Sequence, residues 1–182
     1  KYLALQDFID RARKVLPRPI YGYVTGGVED NVSLRGNRNV FEEIGLVPKP
    51  LVDTTARSMK TTLFGKTYNA PFGFAPMGGT STACYRGDTV LAGVAAEANI
   101  PMMMSGASLM KMEDVKAAGR TVMFQAYLPG DIERITETFE RCERAGFDTI
   151  AVTVDVQVPA NRENNVRNGY STPLRPSLRL AW

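Results

Sequence analysis

Residues 131–155, DIERITETFERCERAGFDTIAVTVD, contain a helix pattern followed directly by a strand pattern. Apolar side chains recur every three or four residues and predict one buried helix face: Ile132, Ile135, Phe139, Cys142 and Ala145. Asp131 can cap the start of this helix, and Gly146 suits a left-handed position after its end. The run 149–153 has the continuous apolar character of a strand that is buried on both faces. This stretch therefore predicts one helix–strand unit of an α/β fold.

The same pattern recurs along the chain. Four short apolar runs begin 29, 21 and 28 residues apart, at 71–75, 100–104, 121–124 and 149–152. Each interval has room for a helix and two loops. We expect these helices over 89–98 after a cap at Asp88, over 109–118 from Ser108, and over 131–145. Repeated strand–helix–strand units predict right-handed crossovers and a parallel sheet.

The first 70 residues precede this repeat. They predict helices over 5–15, 20–26 and 31–43, and a hairpin over 58–68 that turns near Gly65.

Composition indicates a soluble globular protein, because 44% of the 182 residues are apolar and 23% are charged. The two cysteines, Cys84 and Cys142, lack metal-ligand spacing, so we expect reduced thiols, a cytoplasmic setting and no metal site. No apolar run is long enough to span a membrane. The chain contains no histidine, which removes the commonest general base at neutral pH.

Positive charge is concentrated at the end of the sequence. Residues 161–182 hold four arginines against one acid: Arg162, Arg167, Arg175 and Arg179 against Glu163. Apolar residues interleave with them, as in segments that lie on acidic membranes: Leu174, Leu178, Leu180 and Trp182. A solvated loop and a membrane-facing surface with an anion-binding arginine both fit this pattern. No basic face lies on the predicted helices, so we expect no nucleic-acid partner.

Small or polar residues follow each predicted strand. They are Ala75, Pro76 and Met77 after the first, Ser105 after the second, Gln125 and Tyr127 after the third, and Thr153 and Asp155 after the fourth. Carboxyl ends of parallel strands meet at one edge, where α/β proteins bind ligands. Small residues let backbone approach a flat ligand, and the amide and hydroxyls suit the polar edge of a flavin or nucleobase. Each residue alone also fits a local turn.

Three further side chains have open roles at this stage. Asp155 could orient a base, bind a cation, cap a helix or form a loop ion pair. Tyr23 and Tyr127 also fit core aromatic residues with solvated hydroxyls, and Arg162 also fits a surface arginine.

Longer motifs resemble the FMN-dependent α-hydroxy acid oxidising family, which includes glycolate oxidase, lactate dehydrogenases and mandelate dehydrogenase. They occur in the expected order over nearly the whole chain: residues 20–30 (IYGYVTGGVED), 37–39 (NRN), 74–76 (FAP), 104–105 (MS), 124–127 (FQAY), 143–147 (ERAGF), 153–155 (TVD), 161–163 (NRE) and Asn168.

The resemblance implies a (β/α)8 TIM barrel that holds FMN at the carboxyl ends of its strands. This chain would supply the N-terminal helices and roughly the first four β/α units. Residues 1–70 would form a helical segment plus hairpin, 71–160 the first half of the FMN-binding barrel, and 161–182 the start of a long basic loop after the fourth strand.

The resemblance also implies individual roles. FMN would contact the backbone of Ala75, Pro76 and Met77 and the side chains of Ser105, Gln125 and Thr153. The substrate would contact Tyr23, Tyr127 and Arg162, and Asp155 would pair with a catalytic histidine. Tyr23, Tyr127 and Asp155 are thus the catalytic candidates.

That histidine is absent from the chain. We therefore expect the N-terminal half of an FMN-dependent oxidoreductase that converts an (S)-2-hydroxy acid, such as lactate or mandelate, to the 2-oxo acid, with the base supplied by a C-terminal half. Two alternatives stay open: a non-catalytic flavin- or phosphate-binding half barrel that acts as an assembly partner, and another FMN-barrel enzyme such as an isomerase.

Expected partners are a small 2-hydroxy acid, the C-terminal half of the same barrel, and a membrane surface that the basic loop would meet. The resemblance also implies a homo-oligomer, in the cytoplasm or peripheral on the inner face of the membrane.

Overall fold

The computed structural model describes residues 1–128, 130–156 and 158–175. They divide into two compact units, which we call the N-terminal unit (Lys1–Val52 with Val158–Trp182) and the sheet unit (Asp53–Gln157). The α-helices are α1 Asp7–Val15, α2 Arg18–Thr25, α3 Val32–Asn39, α4 Thr80–Ala83, α5 Gly87–Ala98, α6 Met112–Ala118, α7 Ile132–Arg144 and α8 Glu163–Asn168. The strands are β1 Thr61–Leu63, β2 Lys66–Tyr68, β3 Met102–Ser105, β4 Val122–Tyr127 and β5 Ile150–Thr153.

The sheet unit is built on three parallel strands in the order β3-β4-β5. Met104 pairs with Phe124, and Phe124 pairs with Ile150 in the next ladder. Each strand is connected to the next through one helix, as the spacing of the apolar runs predicts. The parallel sheet and its helical crossovers are therefore confirmed.

The first predicted strand, 71–75, is wrong in its extent. Only Phe74 joins the sheet, through a single parallel bridge to Met102. Pro71 and Pro76 have no backbone N–H to donate to a ladder, and a Cβ at Gly73 would lie 1.9 Å from the carbonyl oxygen of Pro101. The chain thus touches the sheet at one residue and leaves it again.

Two predicted helix starts are also wrong. Asp88 does not precede α5 but lies inside its first turn, where it is buried. Ser108 does not begin α6, because its hydroxyl accepts a hydrogen bond from the Met110 N–H and closes a turn, and the helix begins at Met112.

The predicted ends of α7 are confirmed. Asp131 caps the helix by accepting a hydrogen bond from the Glu133 N–H at 2.9 Å. Gly146 has a φ of 85°, the left-handed conformation that glycine adopts without a steric penalty.

The core of the sheet unit lies between the strands and helices α5, α6 and α7. Met104, Val115, Val122 and Cys142 are buried there, and the rings of Phe124 and Phe147 meet edge to face at 5.6 Å. Each large apolar side chain buried in this way contributes about 1.5–3 kcal/mol. The predicted apolar face of α7 is confirmed at its C-terminal end, where Cys142 is fully buried and Phe139 and Ala145 pack against the core. It is wrong at Ile132, which lies in the first turn and is 72% exposed.

The hairpin of β1 and β2 is confirmed, with Gly65 at its turn and a φ of 74°. In the N-terminal unit, α1 and α2 match the predicted helices to within two residues. The prediction over 31–43 is satisfied by α3 and a 3-10 helix at Val40–Glu42.

Helix α8 was not expected, since residues 161–182 are predicted to begin a loop. It packs against α2 through the Asn164 side chain, whose amide donates to the Gly22 carbonyl at 2.7 Å. A Cβ at Gly22 would lie 2.4 Å from Asn168, so only glycine permits this approach.

Among the residues that the structure describes, no helix combines the length and apolar character needed to cross a membrane. Part of the predicted basic and apolar surface, namely Arg179, Leu178, Leu180 and Trp182, lies outside the described residues.

Candidate functional site

Three polar side chains meet at the carboxyl edge of the parallel sheet. Ser105 is the last residue of β3 and pairs in register with Gln125 of β4. The Ser105 hydroxyl donates to Gln125 Oε1 at 3.1 Å, and Gln125 Nε2 donates to Thr153 Oγ1 of β5 at 2.7 Å. This chain of hydrogen bonds crosses three neighbouring strands, and we call it the strand-end network.

A backbone group sets the orientation of the Gln125 amide. The N–H of Gly106 points to Gln125 Oε1 at 3.2 Å, and an N–H can only donate. Oε1 therefore faces Ser105 and Gly106, and Nε2 faces Thr153. Nε2 carries two hydrogens, and Thr153 Oγ1 accepts one of them. Among the residues that the structure describes, the second N–H and the Thr153 hydroxyl hydrogen have no acceptor and remain as donors.

Burial makes this orientation stable. Ser105 and Gln125 are 2% and 4% exposed, respectively. A buried amide without partners would cost about 1–3 kcal/mol, and the network supplies those partners. The polar edge is thus fixed before any ligand binds.

The segment of Ala75, Pro76 and Met77 follows directly after the Phe74 bridge and is exposed. It approaches the loop after β3, where the Gly79 N–H donates to the Ala107 carbonyl at 3.3 Å. A Cβ at Gly78 would lie 3.1 Å from Ala107 Cβ. Small residues therefore line the region between two strand-end segments.

Tyr127 and Asp155 lie at the same edge of the sheet. Tyr127 ends β4, pairs in register with Thr153, and is 51% exposed. Asp155 lies two residues beyond β5 and is also exposed. Both side chains are accessible to a ligand at the carboxyl ends of the strands.

In the N-terminal unit, the ring of Tyr23 lies between a cation and a second ring. Arg162 Cζ is 4.9 Å from the Tyr23 ring centroid, and Tyr170 stacks on that ring at 4.2 Å with an interplanar angle of 9°. Arg162 Nη2 also donates to the Gly26 carbonyl at 3.0 Å, which holds the guanidinium in place. A fixed positive charge beside a phenol is suited to bind a carboxylate.

The structure thus brings the predicted residues together in two groups, which belong to different units. Tyr23 and Arg162 form one group in the N-terminal unit. The second group lies along one edge of the sheet unit: Ala75, Pro76, Met77, Ser105, Gln125, Tyr127, Thr153 and Asp155.

Sequence reasoning missed two residues beside these groups. Tyr170 lies in a segment whose sequence predicts only a loop, so nothing indicated that it would stack on Tyr23. For Asp88 the sequence predicts a helix cap, since an aspartate before an apolar helix is typical of that position. Its burial could not be read from local sequence.

The strand-end network fits the polar edge of a flavin ring. Its two remaining donors, one amide N–H and one hydroxyl, match a carbonyl oxygen and a ring nitrogen that lie side by side. Small residues at 75–79 leave backbone free to approach a flat face.

Comparison with known proteins identifies similar chains. A family model described as FMN-dependent dehydrogenase matches residues 12–182. (S)-Mandelate dehydrogenase of Pseudomonas putida is 31% identical over 97% of this chain and 45% of its own length. Glycolate oxidase of Spinacia oleracea is 33% identical over 89% of this chain and 44% of its own length.

Solved structures of related proteins have a similar fold. One described as monotopic membrane protein (S)-mandelate dehydrogenase has a TM-score of 0.92 at 30% identity, over 100% of this chain and 48% of the solved chain. A mandelate oxidase with a bound difluorinated hydroxy acid has a TM-score of 0.89 at 29% identity, over 98% of this chain and 53% of the solved chain. The chain thus spans about half the length of the relatives it matches. These matches confirm the predicted fold class, a (β/α)8 TIM barrel to which this chain contributes a part.

Proposed function

Because the chain belongs to the FMN-dependent dehydrogenase family, we propose that the protein that contains it oxidises an (S)-2-hydroxy acid to the 2-oxo acid. FMN is the cofactor that this membership indicates. The observation that carries the proposal is the strand-end network, because Ser105 and Gly106 fix the Gln125 amide with donors left over for a flat, acceptor-rich ring.

The flavin-contacting residues are proposed as follows. Gln125 and Thr153 donate to the polar edge of the ring, and Ser105 holds Gln125 in the orientation that this requires. Ala75, Pro76 and Met77 present their backbone to the ring. FMN, when bound, supplies the acceptor for two electrons.

The substrate-contacting residues are Tyr23, Arg162 and Tyr127. Arg162 supplies a positive charge for the substrate carboxylate, and the stacked Tyr170 keeps the Tyr23 ring in one orientation beside it. Tyr127, exposed at the end of β4, donates to the oxygen of the substrate hydroxyl group.

We assign the general base to a histidine in the second half of the barrel, since this chain contains none. Asp155 pairs with that histidine and stabilises its protonated form. The C-terminal half of the barrel is therefore the first partner of this chain.

Regional roles follow the same assignment. Residues 1–70 form the helical segment and hairpin, 71–160 the first half of the FMN-binding barrel, and 161–182 a basic segment that includes α8. A similar (S)-mandelate dehydrogenase is described as a monotopic membrane protein. We propose that residues 161–182, with four arginines and one acid, meet an acidic membrane surface on its cytoplasmic side.

The direct test uses the complete protein, purified with its flavin. Anaerobic addition of (S)-lactate, (S)-mandelate or glycolate is expected to bleach the visible flavin band. Addition of (R)-lactate or (R)-mandelate is expected to leave the band unchanged. Re-oxidation by oxygen or by a quinone then identifies the electron acceptor. Bound FMN that no 2-hydroxy acid reduces would contradict the proposed oxidation and support a non-catalytic flavin-binding module.

Two further properties have separate tests. Sedimentation with vesicles that contain anionic lipid, compared with neutral vesicles, tests the membrane surface. Light scattering of the complete protein tests the homo-oligomer that the family resemblance implies.

A further inference from the structure

Asp88 is a charged side chain in the interior of the sheet unit. It lies in the first turn of α5 and is 1% exposed. Burying a carboxylate is costly unless both oxygens are hydrogen-bonded. Here Oδ1 accepts from the Thr80 hydroxyl at 2.9 Å, and Oδ2 accepts from the Ser108 hydroxyl at 2.7 Å. The positive end of the α5 dipole favours the charge further.

The hydrogen bond from Thr80 connects Asp88 to the segment of Ala75, Pro76 and Met77. Thr80 begins α4 directly after Gly79, and its hydroxyl also lies 3.0 Å from the Met77 carbonyl oxygen. A hydroxyl has one hydrogen, and a carboxylate is a stronger acceptor than a neutral carbonyl. Asp88 therefore holds Thr80, and with it the end of the segment that presents its backbone to the flavin.

The second bond reaches the loop after β3. The Ser108 N–H donates to the Ser105 carbonyl at 3.0 Å, which closes the loop onto the end of the strand. The Ser108 hydroxyl accepts from Met110 and donates to Asp88. The Asp88 carboxylate is thus connected through Ser108 to Ser105. Ser105 in turn orients the Gln125 amide.

Among the residues that the structure describes, the two segments are joined firmly at Phe74, through backbone hydrogen bonds of 3.0 Å to Pro101 and Met103, but only weakly beyond Ala75. The Gly79 N–H to Ala107 carbonyl distance is 3.3 Å, at the long end of the range for such bonds, and Gly78 has no side chain to pack against Ala107. The charged bonds to Asp88 are shorter and stronger.

We propose that Asp88 is a positioning residue of the flavin site, which fixes the distance between the Ala75–Met77 backbone and the Ser105 end of the strand-end network. The inference rests on the proposed function, because it assumes that both segments contact FMN. Asp88 would act on the position of the ring through Thr80 and Ser108, to which its carboxylate is bonded.

The test compares Asp88→Asn with Asp114→Asn in the complete protein. Asparagine has the size of aspartate, but it places an NH2 group opposite one of the two hydroxyl donors and removes the charge. Asp114 is the matched control, because it lies in the first turn of α6 and is exposed. We expect FMN to bind to Asp88→Asn at least about tenfold more weakly, with a changed visible circular dichroism of the bound flavin. Asp114→Asn should match the wild type in both.

A second pair tests the same link without altering the charge. Thr80→Val removes the hydroxyl at nearly constant volume, whereas Thr80→Ser keeps it. Thr80→Ser is expected to bind FMN more tightly than Thr80→Val and to give the flavin spectrum closer to wild type. If Asp88→Asn does not fold, the two Thr80 variants still test whether the hydrogen bond between Thr80 and Asp88 affects FMN binding.

The outcomes separate the inference from the function on which it rests. Weaker FMN binding and a changed flavin spectrum in Asp88→Asn support it. Lower thermal stability with an unchanged FMN dissociation constant and spectrum would show that Asp88 only supports the fold. A wild-type protein that binds no FMN would overturn both the proposed function and the inference.

Discussion

Arg162 and Tyr23 form one contact although 139 positions separate them in the chain: the guanidinium carbon lies 4.9 Å from the ring centroid. The guanidinium also donates to the Gly26 carbonyl at 3.0 Å. Two restraints on one cation leave it little freedom, so its charge is already placed for a carboxylate.

Arg162→Met should therefore weaken substrate binding in the complete protein. We expect KM for the 2-hydroxy acid to rise at least about tenfold, since a charged hydrogen bond is lost. Arg162→Lys should have a smaller effect, because it keeps the charge but loses the planar fork. Arg35→Met is the control, as Arg35 also donates to a carbonyl, that of Asp30. Equal KM values for Arg162→Met and Arg35→Met would contradict the assignment.

The strand-end network predicts a loss of FMN affinity in Thr153→Val. The substitution removes the acceptor of Gln125 Nε2 and one of the donors left for the flavin. We expect the FMN dissociation constant, measured by flavin fluorescence on the deflavinated protein, to rise at least about tenfold. Thr62→Val removes a comparable threonine bond, to Thr67 on the exposed hairpin, and should leave FMN binding unchanged. Equal dissociation constants for the two variants would rule out the assigned role of Thr153.

The Glu113–Arg141 pair predicts an acid-dependent part of the stability. Arg141 donates two hydrogen bonds to Glu113, at 2.8 and 2.9 Å, and lowers the pKa of that carboxyl from 4.5 to about 2. A folded-state pKa below the unfolded value stabilises the protein above pH 4.5, and this contribution disappears as the pH falls to about 2. Its size is small, because both side chains are about half exposed and solvent screens the pair.

Urea unfolding midpoints of wild type and Glu113→Gln should therefore differ at neutral pH and converge near pH 2. Glu140→Gln is the control, because Glu140 pairs at 3.5 Å within a single helix turn, and an exposed pair of this kind contributes little. A difference between wild type and Glu113→Gln that persists unchanged into acid would contradict the prediction.

The burial of a side chain predicts how much its truncation lowers the free energy of unfolding. Met104 of β3 is 3% exposed, so Met104→Ala should lower the free energy of unfolding by about 2–5 kcal/mol. Met59, which is 64% exposed, provides the matched control, and Met59→Ala should change it by less than about 0.5 kcal/mol. Denaturant unfolding of the complete protein measures both. Equal losses would show that the helices do not cover β3 as described.

Periodicity and caps predicted much of the sheet unit. The apolar face of α7, its Asp131 cap and Gly146 at its end are local features, because each depends on residues within a turn or two. The same applies to Gly65 in the hairpin. Local rules failed at 71–75, where prolines and close contact with Pro101 limit the strand to a single bridge.

The candidate site was predictable in its residue types but not in its connections. Polar residues at strand ends indicated that Ser105, Gln125 and Thr153 would meet, since parallel strands align their carboxyl ends. The orientation of the Gln125 amide depends on the Gly106 N–H, and the place of Tyr170 depends on a helix, α8, that the sequence did not predict.

The sequence by itself determined the three parallel strands, the helices that connect them and the family, because these follow from periodicity, spacing and motifs that are read along the chain. Only the tertiary structure decided that Asp88 would be a buried bridge rather than an exposed cap. The reason is physical: a carboxylate is stable in the interior only where two donors from distant segments converge on it, and convergence is a property of packing rather than of neighbouring residues.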